Sequence, residues 1–135
     1  MKRLLSLLLI IGLLPLYLVS QENPEPVALL EYYGDMDQVQ VFDIDGNEVA
    51  DLFFGMELMP GDRIKTGSST AEISLDPNGT IIKLSYNTEF AIEALQRDER
   101  SANEFTLFGG KLRTIAAKLG IFQRNNYSIK TPTAV

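Results

Sequence analysis

The sequence predicts an all-β fold, a single domain of short antiparallel strands arranged as a sandwich or roll, behind an export signal. Three observations carry this. Apolar residues recur at period two from Val27 onward, clusters of Gly, Asn and Asp interrupt them at short intervals, and helical spacing recurs only in Lys111 to Leu119. A chain of 135 residues is enough for one domain with its own core.

Met1-Lys2-Arg3 is a short positive segment, and Leu4 to Val19 is apolar apart from Ser6, Gly12 and Pro15. That is the layout of a signal peptide over residues 1–20, with Val19 and Ser20 before the cut and residues 21–135 forming the exported domain. The alternative is an uncleaved anchor helix, the only membrane attachment the sequence offers. It fits less well, because an apolar stretch of about 16 residues is short against the ~20 that span a bilayer, and Pro15 sits near its end. Either way the domain is expected in the periplasm or outside the cell.

Val27 to Tyr33 and Gln38 to Asp43 are the first extended runs, and Asp45-Gly46 turns the chain. Glu48 to Phe54 carries it to Gly55, and Glu57-Leu58-Met59-Pro60-Gly61-Asp62 reads as a second turn before Arg63 to Thr66. Ala71, Ile73 and Leu75 alternate with Glu72, Ser74 and Asp76, so this strand has one buried and one wet face. Asp76-Pro77-Asn78-Gly79 then turns it into Thr80 to Tyr86 as a β-hairpin. Phe90, Ile92 and Ala94 point inward in the next strand, with Glu89 and Glu93 outward. Gln96 to Asn103 is a charged loop, and Phe105 and Leu107 resume the pattern up to Gly109-Gly110.

Local signals conflict over Lys111 to Leu119. Leu112, Ile115, Ala116 and Leu119 have helical spacing, while at period two Arg113 shares a face with Ile115. Asn125-Asn126 turns the chain into Tyr127 to Thr131. Ile73, Leu75, Ile82, Leu84, Phe90 and Ile92 are expected to form one core, presented to the same side by three successive strands.

Composition excludes much chemistry. With no Cys and no His there is no disulfide framework, no Cys/His zinc site, no thiol nucleophile and no Ser-His-Asp mechanism. The 18 acidic residues outnumber the 12 basic ones, so nucleic acid is a poor partner. Asp35, Asp37 and the run Asp43-Ile44-Asp45-Gly46-Asn47-Glu48 are oxygen-rich. They lack the third ligand before the Gly and the terminal bidentate Glu of a calcium loop, so Asp45-Gly46 is taken as a turn. Glu89 and Glu93 read as solubilising charge, not as the acid and base of a glycosidase. Ser68-Ser69 with Lys65 resembles a Ser/Lys pair in composition only. Asn78-Gly79-Thr80 and Asn126-Tyr127-Ser128 fit the glycosylation triplet. No catalytic, cofactor-binding or metal-binding residue is assigned. The candidates for contact are aromatic. Tyr32-Tyr33 and Phe53-Phe54 are adjacent pairs, of which a strand can bury only one member each, and Phe108 joins them.

The stretch Gly55-Met56-Glu57-Leu58-Met59-Pro60-Gly61-Asp62-Arg63-Ile64-Lys65-Thr66-Gly67 resembles the FecR-domain family. Ser68 to Leu75, Asn78 to Leu84, Asn87 to Ile92, Gly109 to Arg113 and Lys130 to Val135 are similar to that family's later segments, in the same order, so the resemblance covers Gly55 to Val135. It implies a FecR-like periplasmic β-domain, with a strand rather than a helix after Gly109-Gly110. It names no catalytic group.

The best-known members of the family place the domain after a cytoplasmic anti-sigma segment and a membrane helix, where this sequence carries a signal. Their T-P-T-A-V segment leads into a closing strand, whereas this sequence stops at Val135. Either the sequence is a fragment or the domain lacks its last strand, and in the latter case an open sheet edge able to recruit a second copy is expected.

The expected function is an exported, non-catalytic FecR-like binding or scaffold module of the cell envelope, with a protein or another envelope component as partner. The alternative is a periplasmic signal-transduction component related to the FecR-type sensors of iron-transport regulation. An envelope glycan hydrolase comes third, since no carboxylate pair marks a cleft.

Overall fold

The computed structural model describes residues 25–116 and 126–132. Ten strands occupy them: β1 (Val27–Tyr33), β2 (Val39–Phe42), β3 (Met56–Leu58), β4 (Arg63–Thr66), β5 (Ala71–Asp76), β6 (Thr80–Leu84), β7 (Glu89–Ala94), β8 (Asn103–Gly109), β9 (Leu112–Ile115) and β10 (Tyr127–Lys130). One 3₁₀ turn, Met36–Gln38, lies between β1 and β2. Among the described residues no helix is long and apolar enough to cross a membrane.

The strands form two five-stranded sheets, β3-β1-β5-β6-β9 (sheet A) and β10-β8-β7-β4-β2 (sheet B). Every pairing is antiparallel except β10 with β8, which is parallel and departs from the antiparallel expectation. Each sheet turns one apolar face inward, and the two faces build one core of a β-sandwich. Leu30, Ile73, Ile82 and Leu84 of sheet A meet Val41, Ile64, Phe90, Ile92 and Phe105 of sheet B there. Phe90 and Phe105 stack at 5.2 Å between ring centroids. All six residues expected in the core are buried. They do not come from one side, because β5 and β6 lie in sheet A and β7 faces them from sheet B.

The hairpin β5–β6 forms as expected, with Leu75 opposite Thr80 and Ala71 opposite Leu84, although its second strand ends at Leu84 and not at Tyr86. Asn78 Oδ1 accepts the Thr80 amide and hydroxyl inside its turn, and the Asp76–Pro77 peptide is cis. Most other connections change sheet, so the chain crosses the sandwich repeatedly.

Several expectations are corrected. Glu48 forms one isolated bridge to Phe42, and no strand continues through Phe54. The reason is Asp51, which stands at φ +57° in the left-handed region and breaks the extended run between Glu48 and Phe54. Glu57 and Leu58 belong to β3 and not to the turn, because Ala28 and Leu29 of β1 offer them a ladder. The conflict after Gly110 resolves as strand over Leu112–Ile115, which pairs with Ile81–Leu84 of β6. Leu112 and Thr114 are half-buried while Arg113 and Ile115 face outward, so no arginine enters the core. Residues 1–24, with the expected signal peptide, residues 117–125, which include the rest of that segment and Asn125, and the terminal residues 133–135 lie outside the described residues.

Candidate binding surface

The outer face of sheet B has the most developed surface features. Side chains at alternate positions of neighbouring strands meet there, Arg63 and Lys65 from β4, Glu89 and Glu93 from β7, and Thr106 and Phe108 from β8. Arg63 Nη1 donates to Glu89 Oε1 at 2.9 Å. Its guanidinium carbon lies 4.1 Å from the centre of the Phe108 ring. A cation placed over an aromatic face and paired with a carboxylate forms a polar centre on the sheet surface.

Three shallow grooves of about 440, 340 and 290 Å³ adjoin this centre. Arg63 lines the first two, Lys65 and Glu89 the first and third, and Phe108 the second and third. Ile44 rises between the first two, with 75% of its surface exposed. It is seated by Gly61, whose backbone at φ +98° leaves no room for a Cβ, because that atom would lie 2.7 Å from Ile44 Cδ1. The Gly61 turn is latched to β7, its N–H donating to Ile92 O at 2.6 Å and Ile92 N–H donating to Asp62 O at 3.0 Å. An exposed isoleucine beside a cation–ring pair gives a mixed apolar and charged surface, the composition of a recognition patch.

The acidic groups are engaged locally. Asp43 accepts from the Asn47 side-chain amide, and the Asn47 backbone N–H, first among several donors, holds its carboxyl below the usual range. Asp62 Oδ2 accepts the Met59 amide at 2.8 Å, and burial, with the Asp43 charge adding, pushes its carboxyl up. Glu93 accepts from Thr106 Oγ1 at 2.8 Å, whereas Glu89 accepts from Arg63. Among the described residues no group of three or more acidic side chains is placed to hold a metal ion.

The remaining sequence candidates have structural roles. Ser69 is buried and its Oγ accepts the Asp35 amide at 2.7 Å, fixing the turn after β1, while Lys65 projects from sheet B. Asn78 is buried in its hairpin turn. Asn126 Nδ2 donates to the carbonyls of Glu99 and Ser101, which ties β10 to the charged loop. Gln96 and Asn103 are the buried polar residues beneath that tie, Gln96 Oε1 accepting the Asn126 amide.

Tyr32 is half-exposed and Tyr33 buried, as adjacent strand positions require. Phe53 and Phe54 are both exposed, because they sit on a loop and not on a strand. Phe54 stacks on Tyr33 at 4.5 Å.

The sequence reading named Phe108 but missed its partner Arg63, which it placed only as the start of a strand. No local signal joins two residues so far apart in the chain. Comparison with protein-family models, with curated proteins and with solved structures finds no match to this chain.

Proposed function

We propose that this protein is an exported, non-catalytic binding or scaffold module of the cell envelope, FecR-like in type, that engages a protein or another envelope component. The observation that carries the reading is the Arg63–Phe108 centre, held by Glu89 and flanked by contiguous grooves on one open sheet face. Engagement of Glu89 with Arg63, Glu93 with Thr106 and Asp43 with its own turn supports a contact role over acid–base chemistry. The order of sequence segments from Gly55 to Val135 supports the family resemblance, and Met1 to Ser20 support export.

Fractionation of cells expressing the full chain, followed by co-purification, tests this. The protein is expected in the periplasmic or extracellular fraction, with a partner that is lost from the Arg63→Glu, Phe108→Ala double variant at unchanged melting temperature. A cytoplasmic location, or a partner retained equally by that variant, would sink the reading.

A further inference from the structure

The opposite side of the sandwich carries a second surface, on the outer face of sheet A. A groove of about 320 Å³ runs there across β5, β6 and β9, with Lys83, Lys111 and Arg113 along it. Glu72 is the one acid lining it and is already occupied, accepting from Lys83 Nζ at 2.6 Å. Lys111 and Arg113 form no ion pair among the described residues. In a chain of net charge −6 this is a local reversal of sign.

The cations are in line. Ser85 N–H donates to Lys111 O at 2.9 Å, which extends the β6–β9 ladder by one residue and places Lys111, Arg113 and Ile115 on one face. Alternate residues of a strand are about 6.6 Å apart, the same repeat as alternate side chains of any extended peptide laid beside it. Ile115 is 41% exposed and opposite the half-buried Ile81, so the cationic stretch runs into an apolar step. A compact anion such as phosphate needs donors converging on one point. Here they are spread along a line in an open groove.

We propose that this track docks an extended acidic segment of a partner protein. Acidic residues at alternate positions meet Lys111 and Arg113, and an apolar residue follows over Ile115. The proposal is independent of the sheet B reading, since it concerns the other sheet.

The test is fluorescence anisotropy of the full chain with a labelled peptide alternating threonine with two glutamates and then a valine. A twin carrying lysines in place of the glutamates is the control. The glutamate peptide is expected to bind and the twin not. Lys111→Glu with Arg113→Glu should weaken binding by about tenfold, as two exposed charge contacts allow, and Arg63→Glu should leave it unchanged. The double glutamine variant gives the same readout if charge reversal disturbs the fold by circular dichroism. Equal binding of the twin, undiminished binding by the folded variants, an equal loss with Arg63→Glu, or displacement by equimolar inorganic phosphate would each overturn the proposal.

Discussion

Thr66 and Thr88 are joined by reciprocal hydrogen bonds at one end of the sandwich. Thr66 N–H donates to Thr88 O at 2.8 Å, and Thr88 N–H donates to Thr66 Oγ1 at 2.9 Å. Thr66 Oγ1 itself donates to Ser85 O at 2.6 Å, and Thr88 Oγ1 accepts the Lys111 amide at 3.1 Å. Ser85 follows β6 and Lys111 precedes β9, so two buried hydroxyls, one ending β4 and one just before β7, fasten the end of sheet A to sheet B. Thr88→Val preserves shape and removes the hydroxyl. Chemical denaturation should show a loss of about 0.5–1.5 kcal/mol, the net worth of one hydrogen bond to a part-buried amide.

Gly110 lies against the same junction, at φ +90°, where an added Cβ would come 2.5 Å from Thr88 Cα and 2.6 Å from Asn87 O. Both obstacles are backbone and cannot swing away. Gly110→Ala should therefore destabilise by more than the ~1 kcal/mol of an unfavourable backbone conformation alone, read as a lower denaturation midpoint at unchanged slope.

Leu84 is buried between the sheets, whereas Glu93 is exposed on the outer face of β7. Leu84→Ala should cost about 2–5 kcal/mol, and Glu93→Ala should stay within about 0.5 kcal/mol of wild type. Thermal melts of the two variants side by side check the assignment of faces.

Asp62 and Asp98 should respond to pH with opposite signs. Burial raises the folded-state pKa of Asp62, so its charged form is disfavoured, and wild type gains stability as pH falls through that raised value towards about 4. Asp62→Asn keeps an acceptor for the Met59 amide and carries no charge. Its melting temperature should equal or exceed wild type at neutral pH, with the gap closing on acidification. The Asp98 carboxylate is held below the usual range chiefly by the Arg100 amide, then that of Ser101. Asp98→Ala should melt below wild type at neutral pH, and that deficit should vanish as pH falls through the depressed value.

The hairpin of Ala71–Asp76 with Thr80–Leu84 was legible because alternation and an Asn-Gly turn are local signals. Sheet membership was not, because only tertiary packing decides that Phe90 faces Ile82 across the core instead of lying beside it. Glu57 and Leu58 looked like turn residues because Pro60-Gly61 follows them closely, yet β1 draws them into a ladder. The helical spacing around Leu112 and Ile115 lost to pairing with β6, which leaves Ile115 outside. Both proposed surfaces depend on such pairings. Arg63 reaches Phe108, and Arg113 comes level with Lys83, only once the strands are in register.

On the proposed reading, the Arg63–Phe108 face of sheet B contacts a partner in the envelope. The most direct measurement is site-specific photo-crosslinking in intact cells, with the photoreactive residue at position 108 or, as control, at the exposed Asp76. A discrete higher-mass product from position 108, absent from position 76 and lost on Arg63→Glu, is the predicted result. Identical patterns from both positions, or no product from position 108 in correctly exported and folded protein, would contradict it.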